Sequence, residues 1–592
     1  MTICVGEVIA IDGTKIGIRI FDDSNRDTLY YNGDRYKGVS IREYVSIQRG
    51  FRDIICLVQG EYLDERKFHE DPAQTWYDRR VDVKPIGYIE NGEFKEGIKY
   101  LPMIKDQVSL VKDEVISSIY MQGEGGLPVG KLMKEEIPIS LPWEKLFNTH
   151  IGIFGNTGSG KSNTLTKLFT SLFELKSEAI KGKSHFALLD FNGEYTSNQF
   201  LPLAHKTVIH LKTGNQPGNK FPLPPTEFWN ADVLAILFQA TQNTQRPFLN
   251  RIVNSKEKYK NNQNSLTNYF QWVFEQTFSA AAKKTESLDL LRRVSSLVGA
   301  VNLSNSLKQI KWIAGNANTF VLNQTYFNGD GAGYVQALKD DVDAVNCNNL
   351  DAFDELIIRS YLQLTQDLNA GFVQFEHIQP ILKRIEASLV HLRKVLTVDA
   401  AENEEKILTV ISFRHCNQEV KKILPLLIAK HYYTRHRSSV GSPPERTMHL
   451  IIDEAHNILS EQSSREHEVW RDYRLELFEE IIKEGRKFGM FVTLSSQRPA
   501  DISPTIVSQL HNFFIHRLVN DRDLFLIDNT ISTLDSMSKS LIPNLAKGCC
   551  IVTGTTFDIP MTLQIERLHH TKQPDSEDVN LMKLWSVPPI VA

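Results

Sequence analysis

The stretch HIGIFGNTGSGKSNT, His150 to Thr164, decides the fold. It opens with a short apolar run, passes through a glycine-rich loop and ends in a lysine and a serine. Leu165, Leu168, Phe169, Leu172 and Phe173 follow at i, i+3, i+4, i+7 and i+8, which is one face of a helix. Strand, loop and helix in that order are the setting in which G-x-x-x-x-G-K-[ST] cradles a nucleoside triphosphate. Gly155 to Ser162 fits that pattern at every fixed position. The loop Gly155, Asn156, Thr157, Gly158, Ser159 and Gly160, with Asn163 just beyond, is therefore expected to hold the phosphates of ATP. Glycines let backbone N–H groups converge on phosphate oxygens, and the helix start adds partial positive charge. Lys161 is expected to reach the β- and γ-phosphates, and the Ser162 hydroxyl to ligate Mg²⁺.

Outward from the loop, short apolar runs recur: HFALLDF (His185 to Phe191), TVIHL, ILTVISF (Ile407 to Phe413), MHLIID (Met448 to Asp453), MFVTLSS (Met490 to Ser496), FFIHRL and GCCIVTG. Helical patterns separate most of them, so the spacing predicts an α/β domain with a parallel sheet and crossover helices. MHLIID ends in Asp453, a carboxylate expected beside the Mg²⁺ shell. Glu454, the next residue, is placed to polarise an attacking water as general base. That pair favours hydrolysis over transfer to an acceptor.

Other residues have two readings each. Gln497, after MFVTLSS, is either a γ-phosphate sensor or a surface-turn residue before Pro499. Asp190 and Glu194, in LLDFNGEY, either support the nucleotide site from behind or serve plain turn chemistry. Leu475, Phe478, Ile481 and Ile482 mark the inner face of a helix that KEGRKFG closes, with Gly489 as its C-cap. Arg486 there is either a cation favoured by the helix dipole or an arginine finger for a neighbouring subunit, with Arg498 and Arg517 next in line.

Residues 1–127 carry short β runs between turn signals, among them ICVGEVIAI, KIGIRIF, DIICLVQGEYL and IGYIENGEF, and read as a small barrel or sandwich. The α/β pattern covers 128–225 and 406–566, interrupted over 226–405 by a polar, Asn-, Gln- and Leu-rich stretch that reads as a helical insertion. Residues 567–592, with Pro574, Pro588 and Pro589, read as an extended arm with one short helix. The 592-residue length suits roughly three or four domains.

Composition excludes some classes. Net charge is −4, from 67 basic and 71 acidic residues, so a polyanion site has to be a local concentration of charge. Six cysteines without a C-x-x-C pair exclude the common zinc spacings and a disulfide framework, and point to reduced, cytoplasmic protein. Glu7 interrupts any signal-peptide profile, and no apolar run approaches the length of about 18 residues needed to span a membrane.

VGKL (Val129 to Leu132), HIGIFGNTGSGKSNT, LLDFNGEY, HLIIDEAHN, EGRKFG and SSQRP, in this order, resemble the HerA family of the HerA/FtsK-type ATPases. The resemblance runs from about Val129 to the C-terminus and implies a RecA-like motor behind a small N-terminal β-barrel. It implies a homo-hexameric ring that moves double-stranded DNA through its pore, as translocase or helicase. By the same resemblance Lys161, Ser162, Asp453 and Glu454 fall on the nucleotide and metal machinery, Gln497 on the sensor and Arg486 on the finger. Such proteins work with a separate effector, a nuclease or a sirtuin-like NAD-consuming enzyme, in DNA processing or defence against phage. The alternative is a nucleotide-binding ring that organises and activates an effector and pumps little DNA itself. No nuclease or NAD-cleaving constellation is evident in this chain, and the insertion matches the family only loosely.

Overall fold

Every residue of the strands Ile151–Phe154, Met490–Ser496 and Asn512–Ile515 is buried. A strand apolar on both faces needs cover on both, which a parallel sheet obtains from its crossover helices. In the computed structural model these strands form the middle of an 11-stranded sheet, counted among the described residues. The structure describes residues 3–31, 34–67, 75–120, 125–258, 264–314, 318–348, 350–399, 406–461, 468–576 and 581–585.

The parallel part runs Lys206–Lys212, Leu408–His415, Ser184–Asp190, Thr447–Ile452, Met490–Ser496, Ile151–Phe154 and Asn512–Ile515 across the sheet. Cys549–Gly554, Phe557–Ile565, Leu127–Leu132 and Pro138–Leu141 extend it with antiparallel neighbours. The order places the strand before the phosphate loop one strand away from the one that ends in Asp453. All the loops that leave the parallel strands at their carboxyl ends therefore gather at one edge, where open α/β sheets bind their ligands. The helices Lys161–Ile180, Gln418–Ser439 and Glu468–Gly485 supply cover for this sheet.

The N-terminal region closes on itself. Its strands pair in the order Lys15–Ile20, Cys4–Asp12, Gln107–Leu110, Tyr44–Arg49, Arg52–Lys67 and Thr75–Glu90, and the last returns to the first through Ile18 opposite Val81. Val8, Ile18, Val45, Ile47, Val58, Val81 and Val108 fill this six-stranded barrel and are fully buried. Closure removes the exposed edges an open sheet would have.

The insertion hangs from a neck in which Phe221–Leu223 pairs in parallel with Leu396–Val398. Its long helices include Gln245–Glu257, Ser265–Ser279, Ala352–Asn369 and Phe375–Val395. It is not purely helical. Lys311–Ile313, Thr319–Leu322 and Thr325–Tyr326 form a small antiparallel sheet, and strands of two to four residues are too short to leave a period in the sequence. Leu234, Phe270 and Leu362 of the insertion share one apolar cluster with Ile411, Leu427 and Val492 of the α/β domain. The two are packed as one body, which fixes the insertion against the sheet.

The segment after Ile565 folds back over the helix Lys161–Ile180. Lys167 pairs with Glu566 at 2.6 Å, Lys572 with Glu174 at 2.5 Å, and the Asp575 N–H reaches the Glu194 carbonyl at 2.9 Å. One short helix, Leu581–Leu584, follows. Pro588 and Pro589 lie outside the described residues.

Candidate nucleotide site

The turn after Phe154 needs glycine for space as well as conformation. A Cβ at Gly155 would stand 2.4 Å from that of His516, and one at Gly160 2.9 Å from the Gly548 Cα; φ is +157° and +117° at these two positions. The loop is pinned on both sides: Gly155 N–H reaches the Ser496 carbonyl at 3.3 Å and Asn156 N–H the Arg517 carbonyl at 2.9 Å, while the Ser159 carbonyl accepts the Gly548 N–H at 2.8 Å. Under it His516 shares a hydrogen bond with Thr164 at 2.9 Å, and burial with the nearby Lys161 ammonium pushes its imidazole down to about 3. A neutral ring can therefore sit beneath a lysine without opposing it.

Lys161 opens the helix and is only 6% exposed; its Nζ lies 4.0 Å from Glu454 Oε1. Glu454 has φ +50°, a left-handed conformation that costs a non-glycine residue about 1–3 kcal/mol. The turn is held from both ends by Asp453 N–H on the Leu189 carbonyl at 3.1 Å and Ala455 N–H on the Ser495 carbonyl at 2.8 Å. Asn457 Nδ2 also donates to the Glu454 carbonyl at 3.0 Å. The kink turns the Glu454 side chain toward the phosphate loop. Burial raises the Glu454 carboxyl above its usual range, and the Lys161 charge pulls against that rise.

Asp453 is 1% exposed. Its Oδ2 accepts the Tyr195 hydroxyl at 3.2 Å, while its Oδ1 is buried without a hydrogen bond among the described residues. Ser162 faces the Glu194 carboxyl and the Tyr195 hydroxyl and so stands in the same group. A hydroxyl beside a buried carboxylate with a free oxygen suits a hard cation that takes its remaining ligands from phosphate and water. Ser162 and Asp453 thus fit Mg²⁺.

Asp190 resolves to turn chemistry. Its carboxylate accepts N–H groups from Gly193, Glu194 and Tyr195 at 2.7, 3.1 and 3.1 Å, so both of its oxygens are engaged in holding the turn. Burial, then repulsion from Asp453, raises it to about 6. Glu194 rises to about 7 for the same two reasons, against the hydrogen bond from the Asn192 amide at 3.3 Å. Lys206 holds their loop from below, donating to the Tyr195 carbonyl at 2.9 Å and the Gln199 carbonyl at 2.7 Å.

Gln497 reaches the phosphate loop, where its Oε1 accepts the Thr157 hydroxyl at 2.5 Å. Asn163 turns the other way: its side chain bonds the Glu566 carbonyl at 3.2 Å and the Leu568 N–H at 3.4 Å. Arg498 is exposed near Asp501, and the exposed Arg517 donates to the Pro543 carbonyl at 3.0 Å. Arg486 does not join this site. It stands before the seven-residue strand Met490–Ser496, at the opposite edge of the sheet, about 20 Å away at the rise of a β-strand. There its guanidinium is exposed and contacts His511 Nε2 at 3.1 Å.

Tyr195, His456, Thr164 and His516 join the site although the sequence pattern did not single them out. Tyr195 and His456 stand inside LLDFNGEY and HLIIDEAHN, and their partners were hidden by distance along the chain. A separate cavity of about 310 Å³ opens between the barrel and the α/β domain, beside Arg42, Tyr44, Tyr120 and Met561, away from the phosphate loop.

A family profile described as "Helicase HerA, central domain" matches residues 127–319, which include the phosphate loop and part of the insertion. The "DNA double-strand break repair helicase HerA" of Sulfurisphaera tokodaii is 24% identical over 494 residues, 82% of this chain and 77% of that one. The "Probable DNA double-strand break repair helicase HerA" of Methanocaldococcus jannaschii is 21% identical over 584 residues, 94% of this chain and 97% of that one. Among solved structures, VirB4 of Thermoanaerobacter pseudethanolicus superposes with a TM-score of 0.44 at 12% identity, covering 76% of this chain and 100% of its own. A likeness that loose carries no argument about the site.

Proposed function

Because the chain belongs to the HerA-type P-loop ATPases, we propose that it is an ATP-driven DNA translocase or helicase with Glu454 as the residue that activates water. The observation that carries this reading is the pair Lys161–Glu454, 4.0 Å apart across the phosphate loop, beside the free Oδ1 of Asp453. In this reading Lys161 leaves Glu454 for the β- and γ-phosphates. Glu454, freed of its cation, accepts the proton of the water that attacks the γ-phosphate. Gln497, already on the phosphate loop through Thr157, orients that water or senses the γ-phosphate. Ser162 and Asp453 hold Mg²⁺, whose charge neutralises the phosphate oxygens.

We further propose a ring of six around duplex DNA, with Arg486 delivered to the neighbouring subunit. Its exposed guanidinium is too far from its own phosphate loop, so a neighbour's site is the one it can serve. The net charge of −4 supports DNA contacts confined to the pore rather than spread over the surface. A separate nuclease or NAD-consuming effector, in DNA processing or defence against phage, completes the reading on family resemblance alone. Free thiols at all six cysteines are in keeping with the cytoplasm. Among the described residues no helix is long and apolar enough to cross a membrane.

The test is ATP turnover with and without duplex DNA across a salt series. A translocase is expected to be stimulated several-fold, with the stimulation falling steeply as salt rises, because phosphate contacts release counterions. Turnover indifferent to DNA at low salt would instead support the ring that organises an effector.

A further inference from the structure

His456 opens the short helix His456–Leu459, just past the left-handed turn at Glu454. Its side chain is 14% exposed, and Nδ1 stands 3.3 Å from Glu454 Oε2 and also 3.3 Å from Ser496 Oγ. One ring nitrogen cannot serve two such partners at once. The hydrogen bond is made with Ser496, and Glu454 Oε2 is left without one. Ser496 Oγ also accepts the Arg498 N–H at 3.1 Å. The imidazole thus stands between the turn that carries Gln497 and the carboxylate it would orient.

The second neighbour of Glu454 is Lys161, at 4.0 Å. Phosphate binding draws that ammonium away and leaves a buried carboxylate short of one partner. An unpaired buried charge is costly and poorly aimed, so another donor has to take over. His456 is already in place. Burial holds its imidazole below the usual histidine range, so it is neutral near pH 7 and its N–H can change acceptor without moving net charge through the site.

We propose that His456 is a positioning residue whose neutral ring carries its proton on Nδ1: as Lys161 engages phosphate, that Nδ1–H passes from Ser496 Oγ to Glu454 Oε2 and aims the carboxylate at the attacking water. The proposal rests on the reading of Glu454 as the water-activating base. It makes the turn Ser496–Arg498 and the base two ends of one hydrogen-bonded relay, so that contact of Gln497 with the γ-phosphate and alignment of Glu454 occur together.

The experiment uses His456→Ala, His456→Asn and Glu454→Gln in the full chain, with kcat and KM for ATP and the affinity for a non-hydrolysable ATP analogue with Mg²⁺. Asparagine places an N–H donor near the position of the histidine Nδ1. His456→Ala is expected to lower kcat about 10–100-fold, the usual loss when a partner that orients a reactive group is removed. KM and analogue affinity should stay within about twofold, since binding energy common to substrate and transition state is untouched. His456→Asn should recover most of the loss. Wild-type kcat in His456→Ala overturns the proposal, and so does a loss that His456→Asn fails to recover. If His456→Ala is insoluble, His456→Phe, which keeps the ring and lacks the nitrogen, is read in its place. Glu454→Gln separates the two layers. Wild-type turnover in that variant would refute the base itself, whereas a dead Glu454→Gln beside a fully active His456→Ala refutes the relay alone.

Discussion

At the carboxyl edge of the parallel sheet, Asp190, Glu194, Asp453 and Glu454 stand together under little solvent; at the amino edge of the same strands, His150, His449 and His511 stand beside Arg486. Burial moves Asp190, Glu194 and Glu454 toward the protonated acid, Asp190 to about 6 and Glu194 to about 7. It moves the second group toward neutral imidazole, with His150 at about 4 and His449 at about 3. The difference lies in what the groups have for partners. His150 uses both ring nitrogens, toward the Ile482 carbonyl at 2.8 Å and the Val492 N–H at 3.0 Å, and His449 stacks on Phe186 with centroids 4.4 Å apart. Asp453 Oδ1, Glu454 Oε2 and Ser159 Oγ, by contrast, are buried without hydrogen bonds among the described residues, whereas of the three amino-edge histidines only His511 leaves one ring nitrogen, Nδ1, so placed. Native cores pair such atoms, so an edge that leaves several unpaired is one prepared for a ligand. The amino edge is packed for stability, with Arg486 as its exposed exception.

Arg486 offers the sharpest way to break that contrast. If it is a finger, Arg486→Ala should lower turnover by about 10³–10⁵ while ATP binding survives, because a guanidinium that meets charge developing in the transition state acts on the rate alone. Rings mixed from Arg486→Ala and Lys161→Ala subunits should then regain part of the activity, since some interfaces pair an intact loop with an intact arginine. Near-normal turnover in Arg486→Ala would return the residue to the packed edge, as a cation at a helix end contributing at most about 1 kcal/mol.

A smaller effect sharpens the contrast by pH. His449 titrates near 3 in the folded chain against about 6.5 unfolded, so the folded state binds fewer protons and its stability falls as pH drops below about 6.5. Glu194 titrates near 7 folded against about 4.3 unfolded, so stability falls as pH rises through that window. Between about pH 6.5 and 4.5 the two edges oppose each other, each with a slope of up to about 1.4 kcal/mol per pH unit. Denaturant unfolding without nucleotide should therefore show a shallower acid loss in His449→Phe and a steeper one in Glu194→Gln. Equal slopes in the two variants would mean that burial does not distinguish the edges in this way.

The phosphate loop and the strand ending in Asp453 were legible in the sequence because backbone cradling and metal ligation demand particular residue types at fixed spacing. Gly155, Gly160, Lys161 and Ser162 admit few substitutes, and the apolar runs around them lie in the parallel part of the sheet except GCCIVTG, which pairs antiparallel. Partnerships across the chain were not legible. Tyr195 meets Asp453 258 positions away, and Thr157 meets Gln497 340 positions away, separations at which local periodicity carries no signal. Closure of the barrel depends in the same way on Ile18 finding Val81. The small sheet within the insertion failed for the opposite reason, since Thr325–Tyr326 is a strand of two residues. The two roles open to Asp190 were separated only by counting the N–H groups its carboxylate already holds.

The central claim is that binding and hydrolysis are divided between residues of one edge, Lys161 holding phosphate and Glu454 activating water. ATP affinity and ATP turnover measured side by side in Lys161→Ala and Glu454→Gln test it most directly. Lys161→Ala should lose nucleotide affinity, since the phosphates lose their main cation. Glu454→Gln should keep ATP bound while turnover falls by about 10²–10⁴, the range for a lost general base. Wild-type turnover in Glu454→Gln would contradict the claim.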